Sequence, residues 1–206
     1  TVTIAGNAIS KTATPTTRTI GQTSTFTVSV TVPANVNFYA PTLLDRIPVG
    51  QGPPTSVVFT CVLLPSNTPC GTTGTLLPPA VQADGSSIYG YTIPDLLAVP
   101  NQRRLTLTYT AAVTDVPTNV AGKALTDTVQ SAWNATPGKT PTSSPTSFDR
   151  LGSSASATVT VLEPSLTITK AVSDTTPAPG DTFTYTVRVT NATGATVSPA
   201  YGTVVT

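Results

Sequence analysis

The sequence predicts an all-β chain of tandem immunoglobulin-like antiparallel β-sandwich repeats, and three observations predict it. The first is alternation: Thr23-Ser-Thr-Phe-Thr-Val-Ser-Val-Thr-Val32 puts Phe26, Val28, Val30 and Val32 on one face of a half-buried strand. The second is punctuation, since 20 Pro and 14 Gly divide the chain into short segments and helical periodicity is almost absent. The third is repetition. Ala8-Ile-Ser-Lys-Thr-Ala-Thr-Pro15 followed by Gly21-Gln-Thr-Ser-Thr-Phe-Thr-Val-Ser-Val-Thr-Val32 returns as Leu166-Thr-Ile-Thr-Lys-Ala-Val172 and Gly180-Asp-Thr-Phe-Thr-Tyr-Thr-Val-Arg-Val-Thr190. Short alternating strands without helices point to two packed sheets, with a barrel as the alternative.

Taken in order, Thr1-Val-Thr-Ile4 resembles Thr158-Val-Thr-Val161. Residues 1–6 are therefore expected to be the last strand of a preceding repeat, or a donor strand. Residues 7–164 read as one complete sandwich. Its alternating strands lie at 23–32, 105–111, 125–133 and 157–161, and Trp133 reads as core. The turn-rich stretch 48–100 predicts short strands joined by long connections, and 137–156 predicts a long surface loop. Residues 165–206 have room for about three strands, where a sandwich takes about seven, so they read as a second, incomplete repeat. The link Val161-Leu-Glu-Pro-Ser-Leu166 lacks a Gly/Ser run, which predicts a semi-rigid joint.

Composition argues against several classes of function. Charged residues make up 9% of the chain, with 10 basic and 9 acidic side chains, so no strong field attracts nucleic acid or an anionic membrane. Thr is the commonest residue at 44, and it makes a sheet surface polar without charge. No apolar run is long enough to span a bilayer. The chain has no His, which removes the usual serine triad and His-based metal sites, and the acids form no calcium-caging run. No enzyme activity, metal or cofactor is expected. Cys61 and Cys70 are the only cysteines. They read as a disulfide across a short loop if the chain is exported, or else as two buried thiols. Asn134-Ala-Thr and Asn191-Ala-Thr are glycosylation sequons.

Leu166-Thr-Ile-Thr-Lys170, Pro179-Gly-Asp181 before a Thr-Tyr-Thr-Val strand, and Val189-Thr-Asn-Ala-Thr-Gly194 resemble the opening of the DUF11 repeat of bacterial and archaeal surface proteins. Leu43-Leu-Asp-Arg-Ile-Pro48 sits where that family carries an Asp-x-x-Pro motif, and Leu125-Thr-Asp-Thr-Val129 where it usually has an Asn-Thr-Ala strand. The resemblance covers most of the chain and implies an exported, repetitive, mechanically loaded protein. Related fimbrial D2 domains carry isopeptide bonds between a first-strand Lys and a late-strand Asn, assisted by an acid.

The residues can be read against that chemistry. Alternation places Lys11 on the apolar face with Ile9 and Ala13, and Lys170 on the face of Leu166, Ile168 and Val172. A buried amine can lose its proton, and a protonated acid beside it can polarise a neighbouring carbonyl, so that the two condense at high effective molarity. Asp45 shares a face with Leu43 and Ile47 and is the candidate assisting acid. Two acceptors are open: Asn134 has the family's residue type but the wrong face, whereas Asp127 shares the face of Leu125 and Val129. A buried ion pair of Lys11 with Asp45, or a Lys that snorkels past the sheet edge, is the simpler reading of the same residues.

The expectation is an extracellular, cell-surface structural repeat of a stalk, fibre or surface layer, whose partners are neighbouring repeats or identical subunits. One alternative is an adhesin that binds a glycan or host surface through 48–100, where Tyr89 and Tyr91 share a side. Another is a filament subunit completed by strand exchange.

Overall fold

A computed structural model describes residues 8–200, 203 and 204; the strand expected at Thr1–Ile4 lies outside them. In chain order the described strands are β1 (Ala8–Thr14), β2 (Thr17–Arg18), β3 (Thr23–Val32), β4 (Tyr39–Ile47), β5 (Thr55–Leu63), β6 (Thr68–Pro69) and β7 (Thr75–Leu76). They continue with β8 (Ala80–Val81), β9 (Ser87–Thr92), β10 (Arg103–Ala112), β11 (Ala124–Asn134), β12 (Arg150–Val161), β13 (Leu166–Val172) and β14 (Tyr185–Asn191). One sheet has the order β1-β3-β10-β5-β6. The second runs β2-β12-β11-β4-β9-β7, with β8 also on β9. Pairing is antiparallel except where β2 joins β12. The only helix among the described residues is a 3-10 turn, Pro145–Ser147.

Alternation explains which face of each strand is buried. Phe26, Val28, Val30 and Val32 of β3 point into the sandwich, as do Leu105, Leu107, Tyr109 and Ala111 of the adjacent β10. The opposing sheet supplies Leu43 and Ile47 from β4, Leu125, Val129 and Trp133 from β11, and Val159 and Val161 from β12. Trp133 meets Phe38 edge-on with ring centroids 5.0 Å apart. The outward positions of β3 and β10 are mostly Thr, which tolerates the half-exposed pleat.

The first strand divides its pairing between the two sheets. β1 forms the edge of the smaller sheet along β3; the chain then crosses at Pro15, and β2 pairs along β12 at the edge of the larger one. This crossing holds the inward side chains of β1 over the second sheet.

Two stretches differ from expectation. Within 48–100, β5 is a nine-residue strand paired with β10, with one bulge near its start between Thr55 and Val58, and only β6, β7 and β8 are short. The expected 137–156 loop ends at Asp149, because Arg150–Ala155 extends β12 alongside β11. Alternation along β11 turns Ala132 outward into a small separate cluster with Leu44, Ile88 and Phe148, and the register shift between Gln130 and Ala132 is taken up by an extra residue in β12.

The sequence repeat folds as a repeated hairpin. β1 and β3 place Lys11 opposite Val28, while β13 and β14 place Lys170 opposite Val187, the same register displaced by 159 residues at both positions. The second hairpin's apolar residues are open, with Ile168 at 62% and Tyr185 at 56% exposure.

Cys61 on β5 and Cys70 beyond β6 form a disulfide with Cα atoms 5.3 Å apart. The loop they close is short, so the loss expected from replacing both by Ser is about 2.5 kcal/mol of unfolding free energy on the chain-entropy model. Urea denaturation of the double variant measures it. In the core, Leu107→Ala is expected to cost about 2–5 kcal/mol, because Leu107 is fully buried between strands that leave little room to collapse.

Candidate functional site: a lysine between two carboxyls

The inward face of β1 carries Ile9, Lys11 and Ala13, so its middle position sends a long cationic side chain into the sandwich. The Lys11 side chain is fully buried, as are those of Asp45 and Asp127. Asp45 sits between Leu43 and Ile47 on the inward face of β4, and Asp127 sits between Leu125 and Val129 on that of β11. In the β4–β11 register Asp45 faces Val129, which puts Asp127 on the same face two residues away, in diagonal reach of Asp45.

The Lys11 Nζ donates to Asp45 Oδ1 and to Asp127 Oδ1, the latter at 2.5 Å. It also lies 5.4 Å from the ring centres of both Phe26 and Tyr109. The two carboxyls differ on their far sides. Asp127 Oδ2 accepts from the Tyr109 hydroxyl at 2.7 Å and from Gln51 Nε2 at 3.1 Å. Asp45 Oδ2 is buried and, among the described residues, receives no hydrogen bond from any donor.

Electrostatics follow from this asymmetry. Burial pushes the Asp45 carboxyl well above the usual carboxylate range; the neighbouring Asp127 adds to the rise, and Lys11 opposes it. Burial likewise raises Tyr109 and Tyr91, with the two carboxyls contributing, so both phenols stay protonated. The cluster is thus a lysine, an acid biased towards its protonated form, and a carboxyl held by two neutral donors. Such a group can remain a buried ion pair, or lose water to form an amide.

Asn134, the other candidate acceptor, lies elsewhere. It is seven residues beyond Asp127 on β11, roughly 23 Å along a strand. The register shifts leave it buried beneath the 135–149 connection, where its Oδ1 accepts from the Asp149 N–H at 3.2 Å. That burial also removes it as a glycan acceptor in the folded chain. Asn191, half-buried at the end of β14, uses its amide to bridge Ser165 and Ser198. Lys170 places its ammonium 4.4 Å from the Tyr185 ring centre and meets no carboxylate among the described residues. Tyr89 and Tyr91 do share a side, but it is the inward one: Tyr91 is buried near Tyr109 with centroids 6.0 Å apart, and Tyr89 packs against the same core. The aromatic platform expected for an adhesin is therefore missing at that pair. Among the described residues no group of His, Cys, Asp or Glu is placed to hold a metal ion, and no helix is long and apolar enough to cross a membrane.

Two residues of the cluster escaped the sequence reading. Tyr109 was legible as an inward residue of its strand, though nothing marked its hydroxyl as a partner for a distant Asp. Gln51 stands alone in a Pro/Gly-rich turn and carries no signal of its own. That turn is fixed by Asn119, whose Nδ2 donates to Gly50 O at 2.7 Å and Thr114 O at 2.9 Å, and by Gly52 N–H donating to Ala112 O at 2.8 Å. Gly50 adopts φ +96° against the Asn119 side chain, a conformation and a closeness that only glycine accommodates.

No protein-family model matches the chain, and no curated protein matches it. Solved structures with a similar arrangement include the pilus backbone RrgB of Streptococcus pneumoniae, at 13% identity and TM-score 0.46 over 66% of this chain and 33% of that one. The major pilin SpaA of Corynebacterium diphtheriae is 17% identical at TM-score 0.44, over 78% of this chain and 39% of that one. AvmM, which catalyses macrocyclization in alchivemycin A biosynthesis, is 12% identical at TM-score 0.44, over 76% and 88%. This chain thus spans about a third of the pneumococcal pilus protein. Similarity at this level leaves function to be argued from the residues.

The state of Asp45 gives a test of the cluster. Its folded-state pKa lies above its unfolded one, so its contribution to stability is full at low pH and fades as pH rises through the folded value. Lys11→Met removes the ammonium that opposes this shift. The variant's urea midpoint is expected to be higher at pH 5 than at pH 8. Asp84, held below the usual carboxylate range by Ser86, and Asp149, held below it by Lys139, shift in the opposite direction.

Proposed function

We propose that this chain is a structural repeat of an exported surface protein, a stalk, fibre or surface-layer component, and that Lys11 and Asp127 become joined by an intramolecular isopeptide bond with the help of Asp45. The observation that carries the reading is the Lys11 ammonium, fully buried and in contact with two fully buried carboxyls from the opposite sheet. A lone ion pair would be a costly way to fill that space, since desolvating each ion costs several kcal/mol and apolar residues of similar volume often serve as well or better. Condensation removes both charges. The lysine ammonium and the Asp127 carboxylate become an amide plus one water, and no external catalyst or energy source takes part.

The consequence is mechanical. The amide ties β1, on one sheet, to β11, on the other, so tension entering at the start of the repeat passes to its end without unzipping β1 from β3. The resemblance to DUF11-type repeats and fimbrial D2 domains supports the same reading. So do the weakly charged, Thr-rich surface and the disulfide, which belongs to an oxidising compartment. The reading includes no turnover. Its domain division is 7–164 for the complete repeat and 165–206 for the start of the next, and its partners are neighbouring repeats or identical subunits.

Intact mass spectrometry of the reduced, denatured protein tests the bond. The expected mass is one water below that of the sequence, with Lys11→Ala returning to full mass; an unmodified chain at full mass would sink the proposal. Stretching gives a second reading. The segment between Lys11 and Asp127 spans 116 residues, or about 400 Å of contour, which should stay hidden when the repeat is pulled and be released in the Lys11→Ala variant.

A further inference from the structure

The two carboxyls in contact with Lys11 are alike in burial and differ in what surrounds their second oxygen. Asp127 Oδ2 is held by an O–H from β10 and an N–H from the turn after β4, at 2.7 Å and 3.1 Å, while its Oδ1 faces the amine. Asp45 has nothing on Oδ2, and its Oδ1 faces the amine. We propose that Tyr109 and Gln51 form an oxyanion cradle for Asp127, so that this carboxyl is the one attacked and Asp45 is the group that carries the proton. The inference rests on the isopeptide reading and assigns roles within it.

The step balances without any further reactant. A proton passes from the Lys11 ammonium to Asp127 Oδ1, leaving an amine beside a neutral acid. The nitrogen lone pair attacks Asp127 Cγ, and the C=O π pair moves onto Oδ2, where the Tyr109 O–H and the Gln51 N–H receive the negative charge. Asp45 donates its proton to Oδ1, which leaves as water. The Asp45 carboxylate then takes a proton from the new C–N nitrogen and ends as it began. Attack on Asp45 instead would place the developing charge on an oxygen with no donor in a buried site, where such charge is poorly tolerated.

The geometry of the donors is held from outside the cluster. Tyr109 stacks on Phe26 with ring centroids 5.2 Å apart, which fixes the direction of its hydroxyl, and Gln51 hangs from the turn pinned by Asn119. Both therefore sit in place before reaction, as electrostatic stabilisation requires.

The test follows the chain from synthesis. Cell-free translation is stopped, and the loss of mass is followed with time, alongside circular dichroism to confirm folding. Tyr109→Phe keeps the ring stack and removes one donor; it is expected to slow water loss by about 100-fold or more. Gln51→Leu is expected to slow it in the same direction. Acceptor identity is read separately. Asp127→Asn presents an amide oxygen to the same donors and an NH2 to the lysine, and it is expected to lose one ammonia instead of one water. A Tyr109→Phe chain that folds and reacts at the unmodified rate overturns the cradle, as does ammonia loss from Asp45→Asn. Should the unmodified chain never lose mass, the isopeptide reading itself falls; a bond that forms without regard to Tyr109 and Gln51 removes only the cradle.

Discussion

Burying one ammonium ion inside a two-sheet sandwich is the constraint on which the rest of this structure turns. An isolated cation there would cost far more than any single core contact returns, so its surroundings are specified. Acidic partners must come from the facing sheet, on adjacent strands, at positions that share the inward face. That requirement ties the register of β4 against β11 to the register of β1 against β3, because a one-residue slip in either pair would turn a carboxyl or the lysine to solvent. The polar cluster therefore specifies the alignment of the two sheets more sharply than the apolar residues around it, many of which could exchange with their neighbours at modest cost.

The crossing of the chain at Pro15 serves the same end. An edge strand that remained in one sheet would be free to peel away. Here β1 belongs to the smaller sheet and β2, a few residues on, to the larger, so both edges of the opening are held by one continuous segment. Lys11 lies within the first of those halves, where its side chain has only to cross the thickness of the sandwich to meet Asp45 and Asp127.

Where residue pattern and burial coincide, the fold was readable before any coordinates. The strand at Thr23–Val32 was placed to the residue, and the inward parity of Lys11, Asp45 and Asp127 followed from alternation alone. Parity cannot say which inward residues meet, since that depends on long-range register, and for this reason Tyr109 and Gln51 stayed invisible. The errors have local causes. β12 starts early because a run of small residues, Gly152 to Ala157, lacks apolar alternation yet pairs along β11, with a bulge in β12 taking up one extra residue between Leu151 and Ser154. β5 was hidden by the Pro and Gly around it. Asn134 looked available because sequence gives its face and not the connection that covers it.

The outer faces of both sheets are dressed with hydroxyls. Thr126 and Thr158 bond across β11 and β12 at 2.9 Å, and Thr55 and Thr110 across β5 and β10 at 2.8 Å. Among the described residues the only ion pairs outside the cluster are Arg46 with Asp84 and Lys139 with Asp149. Ionic screening acts on exposed charges, and hydroxyl pairs carry none. A coat of this kind keeps its hydration and its spacing from fresh water to brine, so the outer faces of the sandwich meet either medium with the same set of contacts.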